Sequence, residues 1–155
     1  MTDLAFLSLD RARAAGRFRP LARSPMVRHL RDAGAEFEER DGWLVAVRVP
    51  GERAHALRVR DVTHLHHPPE RPETHAGFAA LEVAGPGATT VLRRLTELPL
   101  DELPVVGAVA HVRVWVFGEG EERYRLVFEQ EYGHYLWEVV VDAAEPLGGG
   151  PAGTP

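Results

Sequence analysis

Apolar positions recur along this chain with two periods, and the alternation between them lays out its elements. In "AEFEERDGWLVAVRVP" the period is two on both sides of Asp41-Gly42. That dipeptide between extended runs predicts a type I′ hairpin, with Trp43, Val45, Val47 and Val49 on one face. "AVAHVRVWVFG" alternates again: Ala108, Ala110, Val112, Val114 and Val116 share one face, and His111, Arg113 and Trp115 the other. "EGEE" turns, and "RYRLVFE" returns with Tyr124, Leu126 and Phe128 inward, which predicts a second hairpin. Strands are also expected over Val59–Leu65 and in "FAALEVAG".

The helical period of 3.6 appears in three places. "SPMVRHLRDAG" offers Ser24 as N-cap, Pro25 at the first helical position and Gly34 as terminator, with Met26, Leu30 and Ala33 inward. "PGATTVLRRLTE" opens on Pro86 and turns Val91, Leu92 and Leu95 to the core. "YGHYLWEVVVDAAEPLG" puts Tyr132, Leu136, Val139, Val140 and Ala143 on one stripe. A short polar helix is expected from Glu52 to Leu57.

From Phe78 onward the order is strand, helix, strand, strand, helix, most of a split βαβ unit. The predicted class is α+β: one domain, an antiparallel sheet with helices on one face and ferredoxin-like elements. Residues 24–147 form that domain. Residues 1–23 read as a flexible arm, since 11–23 carry five arginines and no apolar period. "GGGPAGTP" (148–155) reads as a disordered tail by composition.

Charge and composition narrow the chemistry. All 18 basic residues of the 155 are arginine, a usage that points to a GC-rich bacterial genome. A net charge of −5 argues against a nucleic-acid partner, which requires a concentrated basic face. The chain has no cysteine, which excludes disulfides, thiolate catalysis and cysteine metal sites. The N-terminus lacks a basic leader followed by an apolar run, and no window is apolar enough to span a bilayer. A cytoplasmic protein with no membrane partner is expected.

Several apparent motifs do not hold up. "GEGEER" leads into a strand, and "GPGATT" lacks the Lys-Ser/Thr sequel of a phosphate loop. The acidic groups Glu36, Glu38, Glu39 and Glu119, Glu121, Glu122 flank turns and read as solubilising charge. "DVTHLHHPPERPETHAGF" holds His64, His66, His67 and His75, but its prolines preclude regular structure and no carboxylate completes a tetrahedral shell. It reads as a surface loop, with partner contact as the alternative, and no metal site is expected anywhere in the chain despite its eight histidines. The His111–Arg113–Trp115 face is either solvated or an interface, and arginine beside tryptophan favours an interface with another chain.

"SPMVRHLRDAGAEFEERDGWLVAVRVPGERAHALRVRDVTHL" is similar to the opening of glycine-cleavage aminomethyltransferases (T-proteins): a Ser/Thr-Pro helix, a Gly-Ala turn, a Gly-Trp, then a strand close to Asp-Val-Ser-His-Leu, here Asp61 to Leu65. "FAALEVAGPGATTVLRRLTELPLDELP" resembles the segment that follows, and also the gamma subunit of heterotetrameric sarcosine oxidase. "YGHYLWEVVVDAAEPLGG" resembles that subunit's C-terminal helix. The likeness runs over roughly residues 24–149. It implies a folate-binding aminomethyltransferase-like domain, with Asp61, His64 and Asp101 as candidate folate-pocket residues. It does not imply catalysis. The Asn-Asp pair that follows the second helix in T-proteins is replaced here by Glu97 and Leu98, and "HHPPERPETHAG" is an insertion.

By this resemblance the expected function is a non-catalytic accessory subunit like sarcosine oxidase gamma. It would have no catalytic residue and no cofactor of its own beyond possible tetrahydrofolate, with larger oxidase subunits or a second copy as partner. The alternative is a stand-alone folate-binding or aminomethyltransferase-like one-carbon protein completed by dimerisation.

Overall fold

The structure is a computed structural model that describes residues 21–65 and 77–155. His66, His67 and His75, and the arm up to residue 20, lie outside the described residues. The elements in chain order are α1 (Val27–Asp32), β1 (Glu36–Arg40), β2 (Trp43–Arg48), β3 (Arg58–Asp61), β4 (Phe78–Ala84), α2 (Ala88–Leu95), β5 (Val105–Val109), β6 (Val112–Gly120), β7 (Arg123–Glu129), α3 (Gly133–Ala144) and β8 (Gly150–Ala152). No described helix is long and apolar enough to cross a membrane.

Strands β3 to β8 form a six-stranded sheet in the order β5-β6-β7-β4-β3-β8, and β1-β2 form a separate pair. All neighbours are antiparallel except β3 and β8, which run parallel. Because β7 lies antiparallel between β4 and β6, those two point the same way, which is the geometry of a split βαβ unit. The fold is therefore α+β, with a mostly antiparallel sheet.

One sheet face carries Val59, Leu81, Val83, Leu126, Phe128, Val114 and Val116, and α2 and α3 close over it with Val91, Leu92, Leu136, Trp137 and Val140. Burial of these side chains is the main stabilising term. The opposite face holds a smaller cluster of Val62, Phe78, Ala80, Trp115 and Val127. Next to it Glu82, only 5 % exposed, is gripped by Arg60 (3.3 Å) and by Arg123 through Nε (3.0 Å) and Nη2 (2.9 Å).

Local chemistry accounts for several boundaries. Asp41 (φ 50°) and Gly42 (φ 83°) form the expected left-handed turn of the first hairpin. At the end of α1, Gly34 (φ 83°) lets the Gly34 and Ala35 N–H groups return to the Arg31 and Leu30 carbonyls at 2.9 and 3.0 Å, a Schellman ending. Glu122, read as solubilising charge, instead caps α2: it accepts the Thr89 N–H at 2.9 Å, and this bond is the main cause holding its carboxyl below the ordinary value.

Five expectations are corrected. The run "AVAHVRVWVFG" is two strands, joined at Ala110 (φ 48°) and His111 (φ 69°). Ala110 gives no signal for such a turn, and His111 only a weak one. It is secured from outside, by the Ala110 N–H on the Leu95 carbonyl (2.7 Å) and by the Tyr135 hydroxyl on the Ala110 carbonyl (2.9 Å). A two-residue turn inverts side-chain parity, so Ala108 pairs with Arg113 rather than sharing a face with Val112.

The strand expected over Val59–Leu65 ends at Asp61 and continues as a 3₁₀ turn, Thr63–Leu65. The buried stripe of α3 is Gly133, Leu136, Trp137, Val140 and Ala144, and Tyr132 stays 41 % exposed. The tail is not disordered. β8 pairs with β3, the Thr154 N–H reaches the Ala46 carbonyl (2.8 Å), and the Gly153 N–H reaches Glu52 Oε2 (2.7 Å). Its small residues allow close backbone approach. Within the expected arm, Ala22 bridges to Trp43 on β2.

Candidate functional site

The chain leaves β3 at Asp61 and turns at once through Thr63, which brings three polar side chains together where α1 begins. The Ser24 hydroxyl donates to Asp61 Oδ2. Thr63 donates to Asp61 Oδ1 from its N–H (3.1 Å) and its hydroxyl (2.7 Å). Ser24 Oγ also accepts the Met26 N–H at 3.1 Å, and Thr63 Oγ1 accepts the Ala80 N–H at 3.1 Å. Asp61 is thus a joint between α1, β3 and β4.

Electrostatics follow from this enclosure. Burial pushes the Asp61 carboxyl above its ordinary 3.8, against hydrogen bonds from Ser24 and Thr63 that pull it down. Burial also pulls His64 below its ordinary 6.5, opposed by the charge of Asp61 and reinforced by Arg40. Both shifts are toward the neutral form of the group.

Asp101 does not join them. It is exposed on the connection into β5, and β6, β7 and β4 stand between that strand and β3. A cleft of about 490 Å³ runs between the β1-β2 pair and Gly51–Ala54, lined by Glu36, Arg48 and Glu52 but by none of the three candidates.

The expected interface face is also divided. His111 sits in the β5-β6 turn and lines a shallow depression of about 450 Å³ with Arg93, Arg94 and Glu97. Arg113 is exposed, with its guanidinium carbon 5.5 Å from the Trp115 ring centre. Trp115 itself is not open: it is 9 % exposed and meets Phe78 edge-on at 5.4 Å. The assignment of strand faces is right for Trp115, but its exposure is corrected, because Val62 and Phe78 pack over it.

One grouping has no precursor in the sequence reading. His29 on α1 meets His134 and Glu138 on α3. The available signal was the i,i+4 spacing of His134 and Glu138 on a helix. The third member is 105 residues away from His134 in the chain.

No protein-family profile matches the chain. An alignment 84 positions long, which covers 49 % of this chain, is 35 % identical to the aminomethyltransferase of Porphyromonas gingivalis, in each of two strains. The chain spans 23 % of the length of that relative. Among solved structures, the heterotetrameric sarcosine oxidase of Corynebacterium sp. U-96, in complex with pyrrole 2-carboxylate, overlays with a TM-score of 0.45 at 22 % identity, over 48 % of this chain and 42 % of that one. The glycine cleavage system aminomethyltransferase T of Bartonella henselae overlays with a TM-score of 0.35 at 17 % identity, over 80 % of this chain and 36 % of that one. By its sequence match, the chain is a distant homologue of the aminomethyltransferases across about half of its length.

Proposed function

We propose that this chain is a non-catalytic accessory subunit of a sarcosine oxidase-type complex, one that links oxidation of sarcosine to tetrahydrofolate one-carbon metabolism. Larger oxidase subunits are its partners and carry the redox cofactors. The likeness of residues 132–149 to the gamma subunit and the 84-residue match to an aminomethyltransferase support the family context.

The observation that carries the non-catalytic reading is the state of Asp61. Both of its carboxylate oxygens are taken up by Ser24 and Thr63, and Asp101 lies across the sheet from it. Group transfer between two reactants requires converging side chains and exclusion of water, and these candidates do not converge. His111 and Arg113, both exposed, are the side chains offered to a partner subunit.

The test is to assay the purified chain for aminomethyl transfer and sarcosine oxidation, measure its tetrahydrofolate binding, and co-express it with the larger oxidase subunits. No turnover alone and co-purification in a fixed ratio are expected. Turnover by the isolated chain above a blank preparation would overturn the accessory reading, and turnover by a folate-binding dimer would establish the stand-alone alternative.

A further inference from the structure

We propose that His29, His134 and Glu138 form a binding site for one divalent transition ion of the zinc class, joining α1 to α3. His29 Nε2 lies 2.7 Å from His134 Nδ1 and 3.9 Å from Glu138 Oε1, and His134 Nε2 lies 3.7 Å from the same oxygen. Ligand atoms around tetrahedral zinc at ordinary bond lengths stand about 3.3 Å apart. A single ion takes only one nitrogen of His134, and one donor atom from each of the three residues already lies within 4.8 Å of the others, so rotation of the side chains closes the set to that spacing. Two imidazoles and one carboxylate are a zinc donor set that leaves a fourth position for water. The same ligands suit cobalt, nickel and copper, with copper bound tightest of the series.

The site is held by the fold rather than by chance contact. Any side chain at Gly133 would overlap the Pro25 ring and crowd the Met26 side chain, so the segment that enters α1 packs directly on the start of α3. Leu30, one residue beyond His29, is buried in the same core as Leu136 and Val140. His29 is itself mostly covered, with 18 % of its side chain exposed, which restricts its ring. His134 and Glu138, at 61 % and 55 %, leave the site open to an ion from solvent.

In the ion-free state one imidazole donates its N–H to the lone pair of the other, with ring centres 4.2 Å apart. Binding moves that hydrogen to the donor ring's second nitrogen and turns both facing nitrogens into ligands. His134 and Glu138 are one helical turn apart and need no backbone movement.

The experiment is calorimetric titration of the full 155-residue chain, free of any histidine tag, with Zn²⁺, repeated with Co²⁺ to read the coordination spectrum. Wild type is expected to bind one ion per chain. His29→Ala and His134→Ala should each weaken binding at least tenfold, Glu138→Gln less, and the triple variant H66A/H67A/H75A should bind within twofold of wild type. Since His134 is exposed, its variant keeps the fold, which circular dichroism verifies. The proposal is overturned by absence of saturable binding in wild type, by unchanged binding in His134→Ala, or by loss of binding in the loop triple variant.

Discussion

Asp61 shows how one side chain can look like a functional group and serve the fold. Its carboxyl is raised above the ordinary 3.8 because burial outweighs three hydrogen bonds. The raised group binds its proton more tightly in the native state than in the unfolded chain. Its contribution to stability is therefore complete below about pH 4 and declines as pH climbs from there through the native value. Replacement with Asn removes this dependence. The stability of wild type minus that of Asp61→Asn should fall with rising pH above 4, at up to about 1.4 kcal/mol per pH unit, and then level off. Denaturant unfolding at a series of pH values measures it. A difference that is flat or rises with pH would sink the burial account. Asp61 was legible in the sequence as a residue of interest, but its hydrogen-bond partners were not, since Ser24 is 37 positions away.

At the scale of the element, β6 carries two apolar faces of different size. Val112, Val114 and Val116 enter the main core, while Trp115 joins Phe78, Val62 and Val127 on the reverse. Alternation correctly separates the two sets, but it cannot tell an open face from one covered by residues remote in sequence. Trp115→Ala should therefore cost about 3 kcal/mol of folding stability, as large-to-small changes at buried aromatic positions do. Chemical denaturation reads the loss directly. Unchanged stability with weakened assembly would return Trp115 to an interface role. The β5-β6 turn was illegible for a related reason. Ala110 has no intrinsic preference for positive φ and His111 only a modest one, and the tertiary bonds from Ala110 to Leu95 and Tyr135 hold the turn in place.

Across the whole molecule, residues 150–155 join the two sheets. β8 extends the large sheet beside β3, the Thr154 N–H bonds Ala46 on β2, and the Arg40 guanidinium on β1 donates to the Thr154 and Pro155 carbonyls at 3.0 and 3.1 Å. Gly153 is the close point: an added Cβ there would overlap the Val47 and Arg48 backbone. Backbone cannot yield as a flexible side chain can. Gly153→Ala is expected to cost about 2 kcal/mol or more through overpacking, with faster amide exchange in both β2 and β8. Gly77→Ala, where a Cβ meets open space, is the control and should stay within about 0.5 kcal/mol of wild type. Equal stability of the two variants would show that the tail does not hold the sheets together.

The sequence by itself determined the local architecture: the first hairpin through Asp41-Gly42, the α1 ending through Gly34, the apolar faces of β6 and β7, and the α+β class through the order of periods. Each is set within a few residues, by φ preferences, side-chain alternation and helical spacing. Tertiary structure decided the rest. It ordered a Gly-Pro tail whose composition reads as disorder, buried Trp115, turned Glu122 into a helix cap and enclosed Asp61. It also separated Asp101 from its supposed companions and brought His29 to His134. All of these depend on contacts between segments distant in the chain, which exist only once burial of the common core has fixed where each element lies.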